Sequence, residues 1–161
     1  GISAEDIPVV AFSVGEEELS GIDTKPLVGH LAAWNYFMSV DEPVNESFID
    51  SWIKFIKDDK RVTNDPMEAT YVGIKMWAQA VEQAGTADVD AVRDAMGGQT
   101  FKAPSGFTLT MDATNHHLHK PVMIGEILPN GQFQVVWRTK GPIRAQPWSP
   151  FIAGNESKQG L

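Results

Sequence analysis

The chain has 161 residues, 42% of them hydrophobic and 21% charged, and carries a formal net charge of −8. This is globular composition, which excludes a fibrous or disordered chain, and the acidic balance argues against nucleic acid or an anionic membrane surface as the main partner. No apolar run approaches the ~20 residues that span a bilayer, so membrane insertion is not expected, and the absence of cysteine excludes disulfides, thiolate catalysis and Cys-based zinc sites while leaving the compartment open.

In chain order, Gly1 opens the sequence with no charged or apolar leader pattern, which fits a mature product, a recombinant form or a fragment. Ile7–Phe12 is a short apolar run containing Val9 and Val10 and reads as a buried strand. Ser13-Val14-Gly15 follows, then Glu16, Glu17 and Glu18, three acids suited to the positive end of a helix dipole. The unit is strand, loop, helix, with its loop at the carboxyl end of a strand, where α/β sheets bind ligands. Leu31–Phe37 reads as a second strand, broken by Asp41-Glu42-Pro43. From Asn45, a plausible N-cap, Phe48, Ile49, Trp52, Ile53, Phe55 and Ile56 recur at helical spacing. Asp65-Pro66-Met67-Glu68 resembles a capping box, and Ala69, Val72, Gly73, Met76, Trp77, Ala80 and Ala84 form an apolar stripe that stops at Gly85. A third helix runs from about Asp88 to Met96.

The period then changes to two. Phe107–Met111 and Val122–Ile127 alternate, and Asn130-Gly131 between Ile127 and Phe133–Trp137 is a strong hairpin signal. Pro142, Pro147 and Pro150 predict an extended tail. The order predicts an α/β fold without fixing the order of its strands. Acids are concentrated in residues 1–100, which hold 18 acids and 7 bases, against 3 acids and 6 bases in residues 101–161. Neither part has a dense run of one sign, so the acids read as solvated helix faces.

Three groups of residues qualify as candidate sites. His116, His117 and His119 beside Asp112 raise the question of a metal. An extended segment would put His117 and His119 on one face with His116 opposed, and two ligands fall short of the three of a catalytic zinc site. The reading is a polar loop of hydrogen-bonded histidines, with no metal and no other cofactor implied. The Ser13 hydroxyl and the amides of Ser13-Val14-Gly15 can hydrogen-bond a small polar ligand or simply cap the helix, and both readings stay open. Trp34 and Tyr36 would share a strand face and can line a cleft, whereas Trp52 and Trp77 read as core. No nucleophile elbow, P-loop or dinucleotide fingerprint occurs, so no catalytic residue is assigned.

Several segments together carry a resemblance. Ile7–Leu19 (IPVVAFSVGEEEL), Gly29–Phe37 (GHLAAWNYF), Ala103-Pro104-Ser105-Gly106, Asn115-His116-His117 and Pro147-Trp148-Ser149-Pro150, in this order, resemble the urea or short-chain-amide binding proteins of ABC transporters. These are type I periplasmic binding proteins related to branched-chain amino-acid receptors. The resemblance runs from Ile7 to about Ile152 and implies the C-terminal part of a two-lobed α/β protein that closes on a small solute. It assigns residues 1–36 to the second lobe, 37–117 to a helical return into the first lobe, 118–140 to a second-lobe hairpin and 141–161 to an extended tail. Tyr36, Phe37 and Asn115–His119 then lie near hinge crossings.

The ligand-contacting residues it implies are Ser13, Val14, Gly15 and Glu16, with Trp34 and Tyr36 lining the cleft. Amino-acid receptors of the family place a carboxylate where Val14 stands here, and a neutral Val leaves an ammonium group unpaired. The implied ligand is therefore a small neutral solute, urea or an amide. The implied partner is the ABC permease, and the implied location is the periplasm, or the lipid-anchored exterior of a Gram-positive cell. Alternatives on the same fold are a cytoplasmic amide-sensing regulator and a branched-chain amino-acid receptor. An amide hydrolase has no triad or metal set to support it. The missing lobe surfaces imply a chain poorly stable as a monomer.

Overall fold

The computed structural model describes residues 2–155 and 158. Twelve regular elements are used below: β1 (Val10–Ala11), α1 (Glu16–Ser20), β2 (Leu31–Trp34), α2 (Pro43–Ile56), α3 (Asp65–Ala84), α4 (Val89–Met96), β3 (Thr100–Lys102), β4 (Thr108–Met111), β5 (Leu118–His119), β6 (Met123–Ile127) and β7 (Phe133–Arg138), with a short 3₁₀ turn at Lys25–Leu27. They form two sheets. One has the order β1-β2-β6-β7, with β1 parallel to β2 and the other pairs antiparallel. The other has the antiparallel order β3-β4-β5. The fold is mixed α/β, as expected.

Each sheet has its own core. Leu19, Ala32, Phe37, Met123, Ile127 and Phe133 pack on the four-stranded sheet. Val72 and Met76 of α3 pack against Ala103, Leu109 and Met111 on the three-stranded sheet. The chain leaves the first sheet after Trp34 and re-enters it at Met123; Phe37 and Val40 still pack on that sheet, and the helices α2–α4 with the three-stranded sheet make up the second unit. β5 pairs with β4, not with β6, and the return crossing therefore falls at Lys120–Val122 and not at residue 118.

Local chemistry accounts for several element ends. α3 starts under an Asn64 cap whose side chain accepts from the Met67 N–H at 3.1 Å, so Asp65 is the first helical residue and not the cap. Gly85 closes α3 at φ 65°, a left-handed conformation that favours glycine. α2 begins at Pro43, one turn ahead of the expected position, because Asn45 is buried and its amide serves the Met38 and Val40 carbonyls. Asn130-Gly131 makes the predicted turn, with Gly131 at φ 76°.

Other expectations fail for want of a covering layer. Within Ile7–Phe12 only Val10 and Ala11 pair as strand, and Ile7, Val9 and Phe12 are exposed. β1 is an edge strand with no further strand beside it among the described residues. Trp77 is 50% exposed and Trp52 half-buried, so neither is a core residue here. Ile74 and Phe55 are exposed as well, and no described element covers them. Ile143 of the tail forms a bridge with Lys120, and Lys158 lies 4.1 Å over the Trp148 ring. Residues 156, 157 and 159–161 of the expected tail, and Gly1, lie outside the described residues.

Candidate functional site

The loop at the carboxyl end of β1 is fixed from both sides. The Trp34 indole N–H at the end of β2 donates to the Val14 carbonyl at 2.8 Å. The Gly15 N–H donates to Glu18 Oε2 at 2.7 Å, which turns the loop into α1. A side chain at Gly15 would stand 3.4 Å from that carboxylate and 3.7 Å from the Trp34 indole nitrogen, so the backbone packs closely against both. One of the amides expected to be free for a ligand is therefore spent within the loop. Ser13 and Val14 remain at the open surface, Ser13 exposed and Val14 partly so.

Glu16 behaves differently from its neighbours. It is 1% exposed and accepts the Met38 N–H at 2.6 Å through Oε1, while Oε2 is buried without a hydrogen-bond partner. Burial pushes its carboxyl up to about 7, and the nearby Asp65 and Glu18 carboxylates add to the rise against the Met38 bond. Glu16 thus faces the crossover behind the loop and not the open side. Glu17 pairs on the surface with Arg61 at 3.0 Å.

Tyr36 does not share a face with Trp34. β2 ends at Trp34, the chain turns, and the Tyr36 ring is fully buried. Its hydroxyl bonds Asn45 Oδ1 and Thr63 Oγ1, each at 2.7 Å. Burial raises the phenol above its usual range. No surface of Tyr36 is open to a ligand in this arrangement, so its role is to lock the crossover to α2 and to the α2–α3 connection. The structure brings Val14, Gly15, Glu16 and Trp34 together and sets Tyr36 behind them.

The histidines each find a separate partner. His116 stands at φ 55° with Nε2–H donating to the Arg93 carbonyl at 3.1 Å. His117 donates to the Asn115 carbonyl and His119 to Asp112 Oδ2 at 3.0 Å. Hydrogen bonds from Thr114, then from His119, hold the Asp112 carboxyl well below the usual carboxylate range. Among the described residues no group of three His, Cys, Asp or Glu side chains could hold a metal ion.

Sequence reasoning missed a buried charged group. Glu68 and Asp65 head α3, and Lys120 Nζ donates to Glu68 Oε2 at 2.9 Å and stands 3.7 Å from Asp65 Oδ1. Burial raises both carboxyls, with Lys120 pulling each the other way. The signal was present: Asp65, Glu68, Val72 and Met76 recur at spacings of three and four, placing two acids on the buried stripe.

Two hollows indent the surface. One of about 720 Å³ is lined by Val40, Met123, Phe133 and Trp137, and one of about 430 Å³ by Glu16, Leu19, Met38, Arg61 and Gln132. Neither of these two is lined by Ser13, Val14 or Trp34. The arrangement offers hydrogen bonding and shape at a strand end, on a unit joined to a second unit by two crossovers.

The sequence pattern of the periplasmic binding protein domain matches residues 1–153. The chain belongs to this family. The fold of this periplasmic binding protein chain is similar to a solute-binding protein of an ABC transporter from Rhodopseudomonas palustris in complex with p-hydroxybenzoic acid. That match has a TM-score of 0.73 and 22% identity over 87% of this chain and 39% of the other. It is also similar to a leucine binding protein from Thermotoga maritima, with a TM-score of 0.61 and 18% identity over 76% and 34% of the two chains. A protein named limonene hydroxylase from Geobacillus stearothermophilus is 35% identical over 124 residues, which is 77% of this chain and 22% of that protein. The periplasmic binding protein chain thus spans between about a fifth and two-fifths of these relatives. With so little of the named hydroxylase matched, its name carries no enzymatic assignment here.

Proposed function

We propose that this chain is the C-terminal portion of the solute receptor of an ABC importer, working outside the cytoplasm, and that its solute is small and uncharged: urea or a short-chain amide. The receptor captures the solute between two lobes and presents the closed form to the membrane permease, with no covalent step. The four-stranded sheet belongs to one lobe and the helical unit with its three-stranded sheet to the other.

The observation that supports an uncharged solute is the direction of the loop's carboxylates. Glu16 is turned inward onto Met38, and Glu18 is bonded to Gly15. That leaves Ser13 and Val14 at the mouth, where an ammonium group would lose its hydration without gaining a counter-charge. One observation favours a second reading. Glu18 is itself exposed beside Gly15 and Trp34, and by releasing Gly15 it would supply the carboxylate that a branched-chain amino-acid receptor needs.

Calorimetric titration of the full-length protein with urea, acetamide, leucine and 4-hydroxybenzoate separates the readings. Saturable binding of urea or acetamide, with leucine at least tenfold weaker, is the expected result. Leucine binding as tight as urea would overturn the uncharged-solute reading, and binding of none of the four would overturn the receptor assignment for this panel.

A further inference from the structure

Two stretches of backbone carry the chain between its sheets, one just after β2 and one just before β6. They run side by side, with the Asn35 side-chain amide donating to the Pro121 carbonyl at 2.5 Å. Both are fastened to the first turn of α3. The Asn35 N–H donates to Asp65 Oδ1 at 3.1 Å, and Lys120 spans Glu68 at 2.9 Å and Asp65 at 3.7 Å. Glu68 is fully buried and the Lys120 side chain is only 13% exposed. Glu16 of α1 holds Met38 on the outgoing crossover.

The arrangement matters because Asp65 serves both crossovers: it accepts the Asn35 N–H and faces the Lys120 ammonium. Lys120 starts the return crossover directly after β5, on the α3 side, whereas Asn35 directly follows β2 of the four-stranded sheet. Rotating one unit against the other about the crossovers must either break the Asn35–Asp65 bond or turn Asp65 away from Lys120. A buried charge stripped of its partner is costly, so the ion pair favours a limited range of angles. Salt screens it little at this depth.

We propose that Lys120, Asp65 and Glu68 form a clasp across the paired crossovers that sets the angle between the two units and so the population of the closed, solute-holding form. Lys120 is a positioning residue that touches no solute. The proposal rests on the receptor reading above for its effect on binding, but its effect on the unliganded angle does not.

The test uses the full-length protein and the variants Lys120→Met and Lys120→Arg, with Glu68→Gln as a milder change should Lys120→Met fail to fold. Small-angle scattering without ligand reads the angle between units, and calorimetry with urea, acetamide and leucine reads binding. Lys120→Met, or Glu68→Gln in its place, is expected to change the ligand-free scattering profile and to weaken solute binding about tenfold, within the usual range of coupling between a distant residue and a site. Lys120→Arg, which keeps the charge, restores both. A variant that only melts earlier, with the wild-type scattering profile and the wild-type affinity, overturns the clasp. If the wild type binds none of the three solutes, the receptor reading fails for them, and the ligand-free scattering alone decides the clasp, an unchanged profile overturning it.

Discussion

Glu16 carries a charge state that depends on the fold. Its carboxyl is raised from 4.5 to about 7 by burial, so the folded chain holds a proton there that the unfolded chain has already released. A raised carboxyl contributes stability that is full below pH 4.5 and is lost as pH rises to about 7, a fall on the order of 3 kcal/mol from this group alone. Glu16→Gln keeps an acceptor for the Met38 N–H and removes the titration. Guanidinium chloride denaturation at pH 5 and pH 8 is expected to show a smaller loss of stability between the two for the variant than for the wild type. An unchanged difference would place the titrating group elsewhere. Tyr36 gives a second case. Tyr36→Phe leaves Asn45 and Thr63 buried beside a ring with no hydroxyl, and is expected to cost roughly 1–3 kcal/mol by the same denaturation measurement. Both residues stand in the motif that prompted the site assignment, yet their burial was not legible there. Strand periodicity extended through Phe37 put Tyr36 on a face with Trp34, whereas the chain turns after Trp34 to cross between units. Nothing in local spacing announces such a turn when its polar groups are satisfied by residues 9 and 27 positions away.

Among the elements, those whose ends are written in local chemistry were the ones sequence reasoning located. α3 has an apolar stripe, a cap and a terminal glycine, and the error in its start was a single residue, Asn64 for Asp65. The β6–β7 hairpin was marked by Asn130-Gly131. Sheet partnership was not legible, because β2 pairs with β6 across about ninety residues of intervening chain and no local pattern encodes that choice. Nor was the register irregularity in β6–β7, where Ile124 pairs with Trp137 but Gly125 with Val135, leaving Val136 as the extra residue. A side chain on Gly125 would stand 2.7 Å from the Phe37 ring and 3.0 Å from Phe133, both fully buried. Gly125→Ala is therefore expected to destabilise the four-stranded unit by about 1–3 kcal/mol through overpacking, read as an earlier denaturation midpoint. A neutral outcome would mean that Phe37 can move aside.

At the scale of the whole molecule, the apolar residues without cover carry the most information. Ile7, Val9 and Phe12 along the β1 edge, and Ile74 and Trp77 on α3, are exposed on surfaces that no described element packs against. Several large apolar side chains exposed on one strand edge and on one helix face fit contact with further protein, and the relatives are more than twice as long as this chain. The 161-residue chain prepared alone is expected to self-associate at micromolar concentration, read by light scattering behind gel filtration; a monodisperse monomer would contradict this. Composition was silent on the point, since exposed and buried hydrophobic residues count alike in a percentage. Only the resemblance across the ordered motifs indicated that the length was that of a part.

In the proposed receptor, two units hinged at paired crossovers close on a small neutral solute. The cysteine-free sequence of this region permits a direct measurement. Spin labels on cysteines introduced at the exposed Gln134 of β7 and Glu82 of α3 of the full-length protein report the distance between units by pulsed electron resonance. Saturating urea or acetamide is expected to shift the distance distribution to a new, narrower peak, as a closed state replaces an open ensemble. A distribution unchanged at a solute concentration that calorimetry proves saturating would contradict the account.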